Sequence, residues 1–366
     1  MKLCEHIPTE FFCEDGCTAA HRDEIASLGG RALIVTGGRS SKMNGSLDDM
    51  TDVLGKCGIA YSVFDRVEEN PSVETVMAGT KAALELGADM IIGIGGGSPL
   101  DAAKAVALMA ANPDRDAEFL VSGGNGYAHP LPLVCVPTTC GTGSEVTPVS
   151  VLTYHDRRTK GSVPFKIYPD IALCDGKYLM YAPHRLIVNT AVDTLGHLTE
   201  SYLNSAADEH SRSAAEKGFE LWQGNRPLLE GEPLTAGGCT ALMTASAYGG
   251  AAIAHTGTGI PHGLSYTLTY EEHIPHGLAV GYFLAGYVSL CSDSEIHEIM
   301  GMTGFADTHE MDSFIRRTSG GTGIDRQLAS LAAKRLAENP KKLSTAPFDA
   351  DTAAVEKIAY SALSAD

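Results

Sequence analysis

The chain has 366 residues, 44% of them hydrophobic, enough to bury the cores of two domains. Its 45 acidic against 27 basic residues leave a formal charge of −18, which argues against a nucleic-acid groove or an anionic membrane surface as partner. No apolar stretch approaches membrane-spanning length, the first residues lack the regions of a signal peptide, and nine scattered cysteines fit a reduced cytoplasm better than a disulfide framework. Cys13 and Cys17 have no matching second pair and read as ordinary thiols.

The first half alternates strands and helices. Residues 31–36 form a short apolar run ending at Gly37 and Gly38. Residues 46–57 carry Leu47, Met50, Val53 and Leu54 at helical spacing, with Gly58 as a stop. Residues 59–64 read as the next strand. Ser72 caps a helix running to about Leu86, where Gly87 ends it. Residues 89–94 and 131–136 read as a third and a fourth strand. Strands separated by helices of this length imply an α/β fold with a parallel sheet covered by helices. From about Met180 the pattern changes to long helical segments, over 186–204, 211–221 and 235–254, with a flexible connector at 318–323. The expected organisation is an α/β dinucleotide-binding domain over 1–180 and an all-helical metal-binding domain over 181–366.

Two loops invite phosphates. Gly95, Gly96, Gly97 and Ser98 follow a strand and open a helix, with Ser98 expected as N-cap, Pro99 at the first helical position and Asp101 where a capping-box acid sits. Gly93 and Gly95 have the dinucleotide spacing, but Ser98 replaces the third glycine, so the simple fingerprint fails. After the fourth strand, Thr138, Thr139, Thr142, Ser144 and Val146 belong to a second loop of hydroxyls, glycines and backbone donors. Lys160, following Asp156, Arg157 and Arg158, is a further candidate for a phosphate or ribose.

The helical half supplies a different chemistry. Asp193 and His197 stand four apart, on one face of a helix. His262 and His276 each lie between a proline and a glycine, where a chain usually bends. One carboxylate and three imidazoles complete a first shell for iron or zinc.

Together these motifs resemble the iron-containing, or group III, alcohol dehydrogenases. The resemblance rests on the Gly-Gly-Gly-Ser-Pro-Leu-Asp loop, Pro-Thr-Thr-Cys-Gly-Thr-Gly-Ser-Glu, Asp-x-x-x-His and two His-Gly motifs 14 residues apart, and it covers nearly the whole chain. It implies the two-domain architecture, a homodimer, and metal ligands at Asp193, His197, His262 and His276, holding Fe(II) or Zn(II). It implies a pyrophosphate loop at Gly95, Gly96, Gly97, Ser98 and Asp101, and a second nucleotide loop at Thr138, Thr139, Thr142, Ser144 and Val146.

Two positions depart from better-known members. Tyr266 stands where some members carry a further histidine near the nicotinamide, so Tyr266 and His273 become the candidates for a proton relay. After the first strand, NAD-preferring members often place an Asp, whereas Gly37, Arg39, Ser40, Ser41 and Lys42 offer cations and hydroxyls to a 2′-phosphate. The expected reaction is hydride transfer between NADP(H), preferred over NAD(H), and a primary alcohol or small diol and its aldehyde. The rival readings are a zinc-dependent polyol dehydrogenase of the glycerol type, a dehydroquinate synthase-like lyase, and a non-catalytic metal- or nucleotide-binding protein.

Overall fold

A computed structural model describes residues 3–156 and 159–364 of the chain. It divides into two compact units, the first made of Met1–Thr139, Gly143–Ala182 and Thr235–Met243, the second of Cys140–Thr142, Pro183–Leu234 and Thr244–Asp366.

The first unit holds a six-stranded sheet. Its strands are β1 (Glu10–Cys13), β2 (Arg31–Gly37), β3 (Ala60–Val67), β4 (Met90–Gly95), β5 (Leu133–Pro137) and β8 (Ile171–Cys174), in the spatial order β1-β8-β5-β4-β2-β3. All five pairings are parallel. A separate antiparallel hairpin pairs β6 (Val151–Tyr154) with β7 (Thr159–Ser162). The four expected strands are present. β1 and β8 went unread because four residues are too few to display an alternation.

Period-two geometry explains the double-sided core. Leu33, Val35, Ile91 and Cys135 face one layer with Val76, Leu100 and Val106 of the helices Val73–Leu86 and Gly97–Ala110. Ala32, Ile34, Ile92 and Val134 face the other, with Leu47, Met50 and Val53 of the helix Ser46–Lys56. A sheet buried on both faces is the expected state of parallel strands. The chain leaves β2 toward β3 on one side and returns to β4 on the other. Such a reversal marks the place, beyond the carboxyl ends of β2 and β4, where open α/β sheets hold their ligands.

Thr235–Met243 joins this unit although no shift in composition marks it. The reason is close packing: a Cβ on Gly176 would run into Ala236 and Thr240, and the Cys13 thiol points at the Thr240 carbonyl.

The second unit is helical. Its principal helices include His184–Tyr202, Glu209–Gly224, Ile260–Glu272, His276–Val288, Thr308–Ser319 and Arg326–Ala337. Acid and hydroxyl caps start several of them, with full capping boxes at Asp208/Ser211 and Ser292/Glu295. The expected connector at 318–323 is partly helical: Thr318 and Ser319 end a helix and Gly320 closes it in the left-handed region at φ 66°. The helix His276–Val288 is buried from Gly277 to Val288, as its all-round apolar sequence requires.

Gly277 lets that helix lie against the helix His184–Tyr202, because a Cβ there would overlap the Asn189 carbonyl and crowd Asp193 Cβ at 3.2 Å. Alanine gains up to about 1 kcal/mol of helix propensity but must push two backbones apart. Gly277→Ala is therefore expected to lose about 3 kcal/mol of stability, read as a lowered urea midpoint with unchanged slope.

Candidate active site

Asp193 and His197 leave the same face of the helix His184–Tyr202. His262 lies in the first turn of the helix Ile260–Glu272, and His276 opens the helix His276–Val288. The two Pro-His-Gly tripeptides are thus helix starts rather than bends. Pro261 occupies the first turn, where its missing N–H has no partner to lose, and Pro275 is the N-cap residue.

The three helices bring the four side chains together. Asp193 Oδ1 lies 3.4 Å from His262 Nε2, 3.6 Å from His276 Nε2 and 4.0 Å from His197 Nε2. Asp193, His262 and His276 form the tight group, with ligand atoms all within 4.8 Å of one another. His197 stands beside it, its ring stacked on His262 at 4.6 Å between centroids.

Each buried ring is aimed by its other nitrogen. His197 Nδ1 donates to the Gly141 carbonyl at 3.1 Å. His262 Nδ1 bonds Glu200 Oε2, while the His262 backbone N–H donates to Glu200 Oε1 at 3.0 Å. These bonds leave both Nε2 atoms directed at Asp193. Glu200 was missed in the sequence. Its signal was there: it is seven residues after Asp193 and three after His197, on the same helix face.

Asp193 Oδ1 and His262 Nε2 are both buried without a hydrogen-bond partner. Orphaned polar atoms are costly, and a carboxylate and imidazoles that converge on one point fit a divalent cation. The electrostatics agree. Burial opposes the charge on Asp193, but His197, His276 and His262 outweigh it and hold the carboxyl well below its usual range. Burial pushes His197 down to about 4, so it is a neutral donor. Burial also opposes charge on His262, yet the Glu200 carboxylate and Asp193 lift it to about 10.

Tyr266 is 47% exposed, and its ring stacks on His276 at 6.3 Å with 12° between planes. Lys342 Nζ lies 5.7 Å from the Tyr266 centroid. His273 is exposed and closes the helix Ile260–Glu272 in the left-handed region at φ 52°.

In the first unit, the register pair Gly95↔Pro137 sets the two glycine- and threonine-bearing loops side by side at the strand ends. Thr138 N donates to Gly95 O at 3.0 Å, and a Cβ on Gly96 would touch the Thr139 side chain at 3.2 Å. Gly95 has φ 147°, and a Cβ there would meet Pro99 Cγ at 2.6 Å, so only glycine fits.

Several expected cofactor residues are occupied otherwise. The helix starts at Gly97, two residues earlier than expected, with Gly96 as N-cap. Ser98 Oγ instead accepts from Asn70 N at 3.0 Å. Asp101 accepts from Ser144 Oγ at 2.6 Å and Val151 N at 2.9 Å, so its carboxylate binds protein groups rather than capping the helix. Val146 is wholly buried. Ser41 is buried too, because the short helix Ser40–Met43 turns it toward Thr36, whose hydroxyl donates to it at 2.8 Å. Arg39 and Ser40 are exposed. Lys42 pairs with Asp65 at 2.6 Å, so an acid absent from the local sequence arrives from β3. Lys160 lies on β7 opposite Thr153, and burial lowers its ammonium pKa against the pull of Glu69. Arg157 and Arg158 lie outside the described residues.

A family model for iron-containing alcohol dehydrogenase matches residues 8–176, and one for the C-terminal part of that family matches residues 187–316. The chain is 33% identical over 263 residues to a sulfoacetaldehyde reductase of Bilophila wadsworthia, covering 71% of this chain and 67% of the relative. It is 30% identical over 283 residues to an NADPH-dependent butanol dehydrogenase of Clostridium saccharobutylicum, covering 75% and 71%. It spans about a third (32%) of the bifunctional aldehyde-alcohol dehydrogenase of Escherichia coli, at 32% identity over 295 residues. The fold matches the crystal structure of an iron-containing alcohol dehydrogenase with a TM-score of 0.88, at 32% identity over 99% of both chains. An iron-containing alcohol dehydrogenase of Thermotoga maritima matches with a TM-score of 0.87, at 32% identity over 98% of both.

Proposed function

This chain belongs to the iron-containing alcohol dehydrogenase family, and from that premise we propose that it interconverts a short primary alcohol or small diol and its aldehyde, with NADP(H) preferred over NAD(H). It is an NAD(P)-dependent, metal-containing alcohol dehydrogenase or aldehyde reductase. The observation that carries the reading is the convergence of buried, unpartnered Asp193 Oδ1 and His262 Nε2 with His276.

Asp193, His262 and His276 hold the metal, Fe(II) or Zn(II), and we assign His197 as the fourth ligand. When bound, the metal supplies a Lewis acid toward the oxygen of the alcohol or carbonyl. Ionised Asp193 supplies the negative charge that retains a dication, and the Gly141 carbonyl and Glu200 fix the tautomers of His197 and His262. The Tyr266 ring forms a wall beside His276, and its phenol, with His273, is the candidate carrier of the alcohol proton. A bound nicotinamide nucleotide would supply the acceptor or donor of the hydride. Gly95, Gly96, Gly97 and Thr138 offer it a backbone cradle, with Thr139 and Lys160 as further polar groups. Three histidines with the aspartate favour this reading over a glycerol-type zinc polyol dehydrogenase. A cytoplasmic homodimer is the expected form, and light scattering tests the dimer.

The nucleotide preference rests on Arg39 and Lys42. Asp65 competes for Lys42, so Arg39 is the cation left to meet a 2′-phosphate. A charge-assisted bond of about 1.5 kcal/mol corresponds to roughly tenfold. Arg39→Ser is expected to lower the NADPH-to-NADH ratio of kcat/KM about tenfold, and Asp65→Asn to raise it. The deciding experiment strips the metal, reloads the protein anaerobically with Fe(II) or Zn(II), and follows NADPH and NADH oxidation with a panel of short aldehydes. Metal-dependent turnover favouring NADPH supports the proposal. Turnover favouring NADH overturns the nucleotide preference, and no turnover with either metal overturns the reaction.

A further inference from the structure

Lys104 has no exposed surface at all, although nothing in the chemistry described above uses it. It lies on the helix Gly97–Ala110, which begins at the glycine loop. Its three hydrogens have three acceptors: Ser144 Oγ at 2.7 Å, Val149 O at 2.8 Å and Thr147 Oγ1 at 3.3 Å. Ser144 belongs to the threonine-rich loop itself, and Thr147 and Val149 follow it directly. One turn earlier on the same helix, Asp101 lies 3.9 Å from the ammonium and accepts from Ser144 Oγ and Val151 N in that same segment. Ser150 Oγ donates to the Asp101 carbonyl at 2.8 Å. The pair therefore joins the two chain segments that carry the two nucleotide loops, in addition to their direct meeting at Gly95 and Thr138.

Stability does not explain such a lysine. Burial penalises the ammonium, with Asp101 and Glu145 in opposition, and a buried ion pair replaced by apolar side chains of similar volume is often neutral or stabilising. What a hydrogen-bonded buried charge supplies is a fixed geometry, since each donor fixes the place of one acceptor. The two loops must present backbone groups to one ligand at a set separation, and small displacements of such groups weaken binding.

We propose that Lys104 is a positioning residue for the nicotinamide nucleotide: its clasp of residues 144–149 holds the second loop in register with the glycine loop. The inference rests on the NAD(P)-linked reading of these loops.

The test uses the full-length, metal-loaded enzyme. Dissociation constants for NADH and NADPH are measured by nucleotide fluorescence, KM and kcat by aldehyde reduction, and Tm by calorimetry, for the parent, Lys104→Met and Thr147→Val. Thr147→Val removes one acceptor while keeping the side-chain shape. The expected result for Lys104→Met is a rise of tenfold or more in Kd and KM for both nucleotides. Its kcat at saturating nucleotide stays within about threefold, while its Tm falls, because Asp101 is left a largely buried carboxylate without its cation. Thr147→Val should shift Kd in the same direction by a smaller factor. An unchanged Kd in Lys104→Met overturns the proposal, as does a lowered kcat and Tm with no change in KM. If Lys104→Met does not fold, an unchanged Kd in Thr147→Val overturns it and a raised one supports it. A parent enzyme that binds neither nucleotide would instead overturn the dehydrogenase reading on which the inference stands.

Discussion

Asp193→Ala is expected to abolish stoichiometric metal binding and to lower kcat/KM by about three orders of magnitude, the factor that several kcal/mol of lost Lewis-acid stabilisation represents. The carboxylate is the one anionic member of the tight group, and its Oδ1 is the point on which the three imidazole nitrogens converge. Without it the site offers neutral or protonated histidines, and a dication loses both a ligand and its charge balance. Asp193→Asn separates these effects. It keeps the shape and an oxygen donor but no charge, so it should lose nearly as much metal as alanine if the charge matters most. Metal content by elemental analysis and turnover after anaerobic reloading decide the matter. An Asp193→Ala protein that keeps one metal per chain, or turnover within tenfold of the parent, would remove Asp193 from the metal site. The fold should survive, because Asp193 Oδ1 makes no hydrogen bond whose loss would leave a partner unsatisfied.

The parts of this molecule that were legible in the sequence share a physical property: they are local. Ser72 and Gly87 bound a helix because one caps it by side chain and the other by a left-handed backbone, and both marks are read within one turn. Asp193 and His197 belong together because 3.6-residue periodicity joins them. What escaped notice depends on chains that meet from afar. β1 is a strand only because it pairs with β8, and β8 because it pairs with β1 and β5, partners far from it in sequence. Asp65 reaches Lys42 from a neighbouring strand, so a loop that reads as purely cationic is half neutralised in the fold. Ser41, Asp101 and Ser144 have the composition of a ligand site, but their polar atoms bind Thr36, Val151, Lys104 and one another. The Pro-His-Gly tripeptides were read as bends because proline and glycine usually punctuate. Here proline starts each helix and Gly277 permits one to touch its neighbour's backbone.

Glu200 is where that distinction has an experimental consequence. Its carboxylate holds His262 from two directions, through Nδ1 and through the backbone N–H, and it is itself buried. Such partners of metal-bound histidines set ring orientation and basicity, and their loss costs roughly 10–100-fold in metal affinity. Glu200→Ala should weaken Zn(II) binding by that factor in chelator competition, while Glu200→Gln, which still accepts from Nδ1–H, should fall between alanine and the parent. The pH dependence gives a second and independent readout. With Glu200 present, the metal-free His262 titrates at about 10. A metal binding below that pH must displace a proton, so parent affinity should climb about tenfold per pH unit on approaching 10. Without the carboxylate, the burial that already opposes the charge on His262 is left with Asp193 alone against it, and the pKa falls. The climb between pH 7 and 9 should then flatten in both variants, even though their affinity is lower. A variant with reduced affinity and the parental slope would mean that Glu200 only packs the site. A variant with parental affinity and slope would mean that it plays no part in aiming His262.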